Sequence, residues 1–228
     1  MIDLIGSYNI LLLFILLWEL MNKIDKPKFK SNDLYTLTVG YRGHFHKRPI
    51  TVNMLVTPHL LVCGLSGQGK SRCIEYAMKD KSCILINCFE DDFKSISAPR
   101  IIGNDNILGY LEKLVTAPYK RNKALYIVID EMLVLCMDKK INKCILDILA
   151  VGRHYNIFII GIMQRGLKQD FSGKDLFNAR MTFRQVDPSS YRSILSAPVG
   201  ERNLKKREFY LFTDDIYLGD LEFTQWND

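Results

Sequence analysis

No two of the six cysteines in this chain are separated by only two residues. Close pairs of that kind are typical of zinc sites and redox motifs, so neither is expected here. Most of the cysteines lie inside apolar runs, which favours reduced, buried thiols over a disulfide framework. The sequence also lacks internal repeats and low-complexity tracts, and its 48% hydrophobic and 25% charged residues exclude wholesale disorder.

Basic residues are missing from the C-terminal end of the chain. After Arg207 there are six acidic residues and no lysine or arginine, whereas residues 165–207 contain ten basic and four acidic residues. A basic segment followed by an acidic tail favours one face that binds a polyanion and another that repels it. An unevenly charged, solvated surface would have the same composition and remains the alternative.

The N-terminal segment lacks the basic start and the small-residue cleavage site of a secretory signal peptide. Residues 2–21 are nevertheless mostly apolar, and about 20 such residues are enough to span the hydrocarbon core of a membrane. Lysines follow this run and none precedes it, which predicts a cytoplasmic C-terminal side. We interpret residues 1–22 as a single-pass membrane anchor, 23–33 as a basic linker and 34–228 as a cytoplasmic domain; an apolar helix docked on a partner protein is the alternative.

Nearly continuous apolar runs of strand length alternate with helical segments in the middle of the chain. The runs are residues 59–64, 82–89, 124–131 and 157–164, and the helical segments are residues 70–80, about 106–117 and 139–152. Strands buried on both faces of a parallel sheet have this pattern. Further strands are predicted at 34–43, 48–55, 179–185 and 208–213, with a closing hairpin at 215–223. The sequence therefore predicts one α/β domain.

The stretch GLSGQGKS, residues 64–71, follows one of these strands and opens a helix. It satisfies the G-x-x-x-x-G-K-S phosphate-loop pattern in the context that the pattern requires; a chance glycine-rich turn is the alternative. Glycines allow the backbone N–H groups to point at phosphate oxygens, and the helix N-terminus adds its dipole. Lys70 is expected to reach the terminal phosphates and the Ser71 hydroxyl to contact Mg²⁺. The predicted nucleotide-binding residues are Gly64, Leu65, Ser66, Gly67, Gln68, Gly69, Lys70, Ser71 and Arg72.

The strand LYIVIDE, residues 125–131, ends in two acids. Asp130 is placed to hold the water shell of Mg²⁺, and Glu131 to polarise the water that attacks the γ-phosphate. The pair favours ATP hydrolysis coupled to mechanical work over a small-molecule kinase or a GTPase; a strand end that is acidic by chance is the alternative. Asp91 and Asp92 follow the preceding strand and are interpreted as part of a solvated loop.

Four segments, taken in order, resemble the motor domain of the FtsK/SpoIIIE–HerA DNA translocases. They are TPHLLVCGLSGQGKS, YIVIDE, GRHYNIFIIGIMQR and NARMTFRQVDPSSYRSIL, and the resemblance covers about residues 55–212. It implies a P-loop NTPase (RecA-like) fold: a parallel sheet with helices on both faces, here preceded by the N-terminal membrane-anchor helix. It also implies ATP and Mg²⁺ as cofactors, DNA as a partner, and a homo-oligomeric ring, usually a hexamer.

The resemblance assigns roles to two further residues. Gln164 matches the glutamine that senses the γ-phosphate, and Arg153 matches the arginine that acts on the nucleotide of a neighbouring subunit. A polar strand cap is the alternative for Gln164, and an arginine on the helix C-terminal dipole is the alternative for Arg153. The predicted catalytic residues are therefore Lys70, Glu131, Gln164 and Arg153, and the predicted metal ligands are Ser71 and Asp130.

Three basic residues after the Gln164 strand, Arg165, Lys168 and Lys174, are the predicted DNA contacts. A motor that moves any sequence must hold nucleic acid by its phosphates, which basic side chains do. The competing interpretation is that these side chains only solubilise the loop or pair with acids on its surface.

The sequence shows no winged-helix module and no four-span membrane region. A motor of this size is similar to the genome-packaging ATPases of membrane-containing viruses, which implies a virion or host membrane, lipid contacts, and capsid or other assembly proteins as partners. A conjugative coupling ATPase and a filamentous-phage assembly ATPase are alternatives. A nucleotide-switched membrane scaffold without translocation is the alternative from another class, since fold alone does not decide function.

Overall fold

A computed structural model describes residues 33–42, 48–165, 171–187, 189–197, 199 and 203–220. The predicted membrane anchor and nearly all of the basic linker lie outside these residues. Within them, no helix has both the length and the apolar character needed to cross a membrane.

The described residues form one mixed sheet and the helices that cover it. The strands are β1 Thr36–Arg42, β2 Arg48–Asn53, β3 Leu60–Cys63, β4 Cys83–Ile86, β5 Arg100–Ile101, β6 Leu125–Ile129, β7 Ile157–Met163, β8 Ala179–Phe183, β9 Glu208–Phe212 and β10 Ile216–Asp220. The helices are α1 Lys70–Met78, α2 Asn104–Thr116, α3 Met132–Leu135, α4 Lys139–Val151 and α5 Ser189–Leu195, with 3₁₀ helices at Gly152–Tyr155 and Ser172–Leu176.

The strand order is β2-β1-β10-β9-β8-β3-β7-β6-β4-β5. From β8 to β5 all neighbours are parallel, as the alternating sequence pattern predicts. From β8 to β2 they are antiparallel, so the prediction of a parallel sheet is correct for only part of it. Two of these antiparallel pairs, β1–β2 and β9–β10, are hairpins, because their short connections cannot hold a crossover.

Alternate residues of the central strands face opposite sides of the sheet and enter different cores. Leu60 and Val62 pack with the apolar side of α1, whereas Leu61 and Cys63 pack with α2 and α4. These strands are buried on both faces, because helices lie on both sides. Helices therefore cover both faces of the parallel part, as predicted.

Helix α1, which begins at the phosphate loop, lies between the parallel sheet and the β1–β2 hairpin. The Cys73 thiol donates a hydrogen bond of 3.2 Å to the carbonyl of Val39 in β1, and both residues belong to one core. Burial raises the pKa of the Cys73 thiol. All six cysteines are free and five are buried, in line with the predicted burial of most of them.

Helix α4 begins with a side-chain cap. The Asp138 carboxylate accepts hydrogen bonds from the backbone N–H groups of Lys140 and Ile141, at 2.8 and 3.2 Å. This satisfies donors that an uncapped helix would leave without partners. The helix ends at Val151, and the 3₁₀ helix that follows leads directly into β7.

Candidate functional site

A cavity of about 440 Å³ opens at the edge of the sheet where β3, β6 and β7 end. Parallel strands bring their carboxyl ends to one edge, and ligands of open α/β sheets bind there. Residues from distant parts of the sequence line it: Ser66, Gly67, Gly69, Lys70, Ser71, Arg72, Asp92, Asp130, Glu131, Gln164, Lys206 and Arg207.

The phosphate loop needs its first glycine for two reasons. Gly64 has a φ of 149°, and a Cβ at this position would lie 2.7 Å from the Cβ of Phe183 in the neighbouring strand β8. The next residue, Leu65, donates its N–H to the carbonyl of Arg184 at 3.1 Å, which ties the loop to the end of β8. A side chain at 64 would therefore force the loop away from the strand that supports it.

The last glycine of the loop, Gly69, stands directly before α1 with a φ of 102° and a ψ of 14°. This left-handed conformation lets the chain turn from the loop into the helix at no steric cost for glycine. The helix N-terminus consequently faces the cavity, where its free N–H groups and its dipole favour an anion.

Lys70 is buried, and its ammonium lies within the loop itself. Its Nζ donates hydrogen bonds to the carbonyls of Gly64 and Leu65, at 2.7 and 3.0 Å. Burial lowers the pKa of Lys70, whereas the negative charges of Glu131 and Asp130 raise it. The ammonium therefore lies close enough to the two carboxylates of the same cavity to interact with their charges.

Asp130 directly follows β6 and is buried, with 8% of its surface exposed. Its Oδ1 accepts a hydrogen bond of 2.9 Å from the backbone N–H of Glu131. Burial is the main reason that the pKa of Asp130 rises to about 6, and the charges of Asp92 and Glu131 raise it further. A bound cation would favour the ionised form of this carboxylate.

Glu131 adopts a left-handed backbone conformation, with φ 46° and ψ 42°, directly before α3. Such a conformation is uncommon for a residue with a side chain, and it is often found at functional sites. Gln164, directly after β7, donates a hydrogen bond of 2.9 Å from Nε2 to Oε1 of Glu131. The two predicted catalytic side chains therefore meet at adjacent strand ends on one side of the loop.

The structure brings together most of the predicted nucleotide and metal residues. Gly64, Leu65 and Gln68 do not line the cavity; the first two accept hydrogen bonds from Lys70 instead. Ser71 and Asp130 both line it, and their hydroxyl and carboxylate oxygens are the ligands that Mg²⁺ prefers. These two residues would hold the ion, which would supply charge neutralisation at the phosphates when bound.

Arg153 lies outside the cavity of its own chain. It is exposed in the 3₁₀ helix that precedes β7, whereas Gln164 follows the other end of that strand. The seven residues of β7 separate the two, so Arg153 lies toward the opposite edge of the sheet. An action on a neighbouring subunit's nucleotide stays a prediction.

The predicted DNA contacts divide into three cases. Arg165 is exposed directly after Gln164, as expected, and Lys168 lies outside the described residues. Lys174 is only 4% exposed, and its ammonium donates a hydrogen bond to the carbonyl of Ser193. The interpretation of Lys174 as a DNA contact is therefore wrong, because the side chain holds the 3₁₀ helix against the chain around α5 instead of facing solvent.

Three cavity residues are not among those that the sequence places there. Asp91 and Asp92 lie in a loop, as interpreted from the sequence; Asp91 is exposed and pairs with Lys94 at 2.9 Å, whereas Asp92 is half-buried and also lines the cavity. Lys206 and Arg207 reach the cavity from the turn before β9. The basic composition around residues 202–207 is the available signal, but nothing local in the sequence shows that this turn meets the phosphate loop.

No protein-family model matches the chain. Among curated proteins, it is 31% identical over 116 residues to the DNA translocase FtsK of Staphylococcus epidermidis, and 34% identical over 116 residues to FtsK of Staphylococcus aureus. Each match covers 49% of this chain and 14% of the relative. The chain thus spans about a seventh of the length of these relatives.

Solved structures with the same fold cover more of the chain. The pCW3 conjugation coupling protein TcpA matches 90% of this chain and 72% of its own, with a TM-score of 0.70 and 18% identity. The type VII secretion ATPase EccC of Thermomonospora curvata matches 91% of this chain and 31% of its own, with a TM-score of 0.66 and 15% identity. The genome packaging NTPase B204 of Sulfolobus turreted icosahedral virus 2 matches 72% of this chain and 97% of its own, with a TM-score of 0.53 and 16% identity.

The sheet, its helices and the phosphate loop together define a P-loop NTPase fold. The matches to FtsK confirm the predicted resemblance to the FtsK/HerA-type P-loop ATPases, and these neighbours show the same fold. The TcpA and B204 structures are complexes with ATPγS.

Proposed function

We propose that this chain hydrolyses ATP, with Glu131 as the general base. The observation that carries the proposal is the hydrogen bond between Gln164 and Glu131 beside the phosphate loop. It fixes a carboxylate and an amide at one side of a cavity whose other residues suit a triphosphate. A switch protein needs a phosphate loop, but it does not need this pair.

The residues of the cavity divide the reaction between them. The loop N–H groups and the Lys70 ammonium bind and neutralise the phosphates. The Glu131 carboxylate accepts the proton of the attacking water, and the Gln164 amide holds that carboxylate and orients the water. Arg153, from the opposite edge of a neighbouring subunit, would stabilise the charge that develops on the phosphates.

We propose further that hydrolysis drives DNA translocation by a homo-oligomeric ring. The sequence match to FtsK supports this proposal, since those relatives are DNA translocases by name. The most specific form of the proposal is genome packaging by a membrane-anchored viral ATPase. It rests on the apolar N-terminal segment and on the likeness to B204, nearly all of whose length this chain matches.

Conjugative DNA transfer is the second candidate. TcpA, a conjugation coupling protein, has a higher TM-score than B204 and matches more of this chain. Both candidates predict a motor that DNA stimulates, so one biochemical test addresses both. A membrane scaffold, or a secretion ATPase acting on proteins as the name of EccC suggests, predicts no such stimulation.

The test measures ATP turnover by the full-length chain, purified in detergent, with and without duplex DNA and single-stranded DNA. A translocase should be stimulated by at least one of them, and Glu131→Gln should abolish the stimulated and the basal turnover alike. ATP turnover that neither nucleic acid changes would reject the proposal of DNA translocation but not that of ATP hydrolysis.

The anchor is tested separately from the chemistry. Membranes that carry the full-length chain are washed with carbonate, and the same is done with a chain that lacks residues 1–30. We expect the full-length chain to stay in the membrane and the shortened chain to be released. Release of both would reject the anchor.

A further inference from the structure

Lys206 and Arg207 line the phosphate cavity, although they follow the phosphate loop by more than half of the chain. Both side chains are exposed. Together with Lys205 they form what we call the basic turn, residues 205–207. None of the predicted catalytic steps uses this turn, so its presence in the cavity calls for a role.

The strand order explains how the basic turn reaches the cavity. Strand β8 runs parallel to β3 and so ends at the phosphate edge, next to the loop. Strand β9 is antiparallel to β8, with Phe209 opposite Phe183, so the start of β9 lies at the edge where β8 ends. The basic turn directly precedes that start.

The turn is held by contacts of its neighbours, which leaves its two cavity side chains available. Glu208 accepts a hydrogen bond of 2.7 Å from the backbone N–H of Lys205 and donates its own N–H to the Lys205 carbonyl at 3.1 Å. Leu204 is buried in a core that includes Tyr191. Arg207 has a φ of 71°, a left-handed conformation that closes the turn.

The charges of the cavity are separated along this edge. In the order β9-β8-β3-β7-β6, the basic turn lies before β9, the phosphate loop follows β3, and Gln164, Asp130 and Glu131 follow β7 and β6. The hydrolytic side must face the γ-phosphate, because Glu131 acts there. The basic turn is on the other side of the loop, where the rest of a bound nucleotide would lie.

We propose that Lys206 and Arg207, the two residues of the basic turn that line the cavity, hold the nucleoside end of the nucleotide by bonding to the α-phosphate and the ribose hydroxyls. This inference rests on the proposed ATPase function. ATP and ADP would make these contacts equally, so the contacts would stabilise the ground state and the transition state of hydrolysis by the same amount. The chemical step would depend on the residues on the other side of the loop. The turn therefore positions the nucleotide and is not catalytic.

The experiment compares ATP and ADP affinity, KM and kcat of the full-length chain in detergent with those of the double variant Lys206→Gln, Arg207→Asn. Asparagine tolerates the left-handed backbone at 207, so the turn can keep its shape. Lys205→Gln is the matched control, since Lys205 belongs to the same turn but does not line the cavity. Thermal unfolding of all three chains verifies that they fold.

We expect the double variant to bind ATP and ADP more weakly by the same factor, about tenfold or more, as for the loss of charge-assisted hydrogen bonds. The loss should appear in KM, and Arg207→Lys should recover part of it. Lys205→Gln should resemble the wild type.

Three results would overturn the inference. A loss for ATP alone, with a lower kcat, would move the contact to the γ-phosphate. If the double variant kept its nucleotide affinity but was no longer stimulated by DNA, the turn would be a DNA contact. If it kept both properties, the turn would bind neither ligand. If the wild type itself bound no nucleotide, the proposed ATPase function would fail as well. Failure of the proposed function is therefore seen in the wild type, whereas failure of this inference alone is seen only in the double variant.

Discussion

The Nε2 atom of Gln164 donates a hydrogen bond to Oε1 of Glu131 over 2.9 Å, joining the ends of two adjacent parallel strands. The contact orients the Glu131 carboxylate. The backbone of the same residue has a left-handed conformation. A carboxylate held at one oxygen presents the other to water, which is the geometry that a general base needs.

Glu131→Gln should lower kcat by about 100-fold or more and leave ATP affinity nearly unchanged, because the amide keeps the shape of the side chain but cannot accept a proton. Turnover and nucleotide affinity are measured side by side on the same preparation. An unchanged kcat would remove Glu131 from the role of general base.

Gln164→Ala should lower kcat by about tenfold to 100-fold, as expected for loss of a group that positions the reacting atoms. Because Gln164 acts partly through Glu131, adding Gln164→Ala to Glu131→Gln should cost much less than it costs alone. The four chains of this double-mutant cycle are compared by single-turnover hydrolysis. Fully additive losses would show that the two residues act independently.

Asp130→Asn should make the nucleotide-free chain more stable at pH 8. The pKa of Asp130 is raised from 3.8 to about 6 by burial, so the folded state binds this proton more tightly than the unfolded chain does. Stability contributed by the group is therefore present below about pH 4, falls as the pH rises through 6, and stays low above it.

The measurement is Tm without Mg²⁺ and without nucleotide at pH 8 and pH 4. The variant should melt a few degrees higher than the wild type at pH 8 and together with it at pH 4. Asp91→Asn is the control, since Asp91 is exposed and its pair with Lys94 should contribute little. A lower Tm of Asp130→Asn at pH 8 would contradict the prediction.

Gly64→Ala should destabilise the fold by about 2 kcal/mol or more, since the new methyl group would overlap the Cβ of Phe183 and the backbone there has little room to move. Gly109→Ala is the matched control: Gly109 lies within α2, and a methyl group added there would meet nothing within 4 Å. There alanine should stabilise the helix by about 0.5–1 kcal/mol. Urea unfolding measures the change in the free energy of unfolding of each variant, and equal changes would contradict the steric argument.

Arg165→Ala and Lys174→Ala should affect different properties. Arg165 is exposed beside the catalytic strand end, so its loss should weaken DNA binding and flatten its dependence on salt. Lys174 is buried on the Ser193 carbonyl, so its loss should lower the free energy of unfolding by about 1–3 kcal/mol. DNA titrations at several salt concentrations and urea unfolding separate the two, and a stability loss confined to Arg165→Ala would reverse the assignment.

The sequence predicts the parallel half of the sheet closely. Strands buried on both faces must be apolar throughout, so β6 and β7 stand out as continuous runs, and the helix predicted at 139–152 corresponds to α4, Lys139–Val151. The phosphate loop and the Asp130–Glu131 pair are also evident in the sequence, because each is defined by neighbouring residues.

What the sequence does not predict depends on contacts between distant segments. Lys206 lies in the cavity only because β9 pairs antiparallel with β8, and no local pattern fixes that pairing. Lysine generally faces solvent, which is why the sequence places Lys174 there, yet a carbonyl from the chain around α5 satisfies its ammonium and allows burial. Asp92 has no periodic signal at all, since it belongs to a loop.

In the described part of the chain, the sheet leaves two strands with one unpaired side, β2 and β5. β5 is only two residues long, and β2 carries the exposed residues Arg48 and Pro49, of which proline has no N–H to donate. Neither edge is a good template for another strand, so copies of this chain are protected from joining edge to edge and from aggregating in that way. Contacts between the subunits of the proposed ring would therefore be left to side chains and loops.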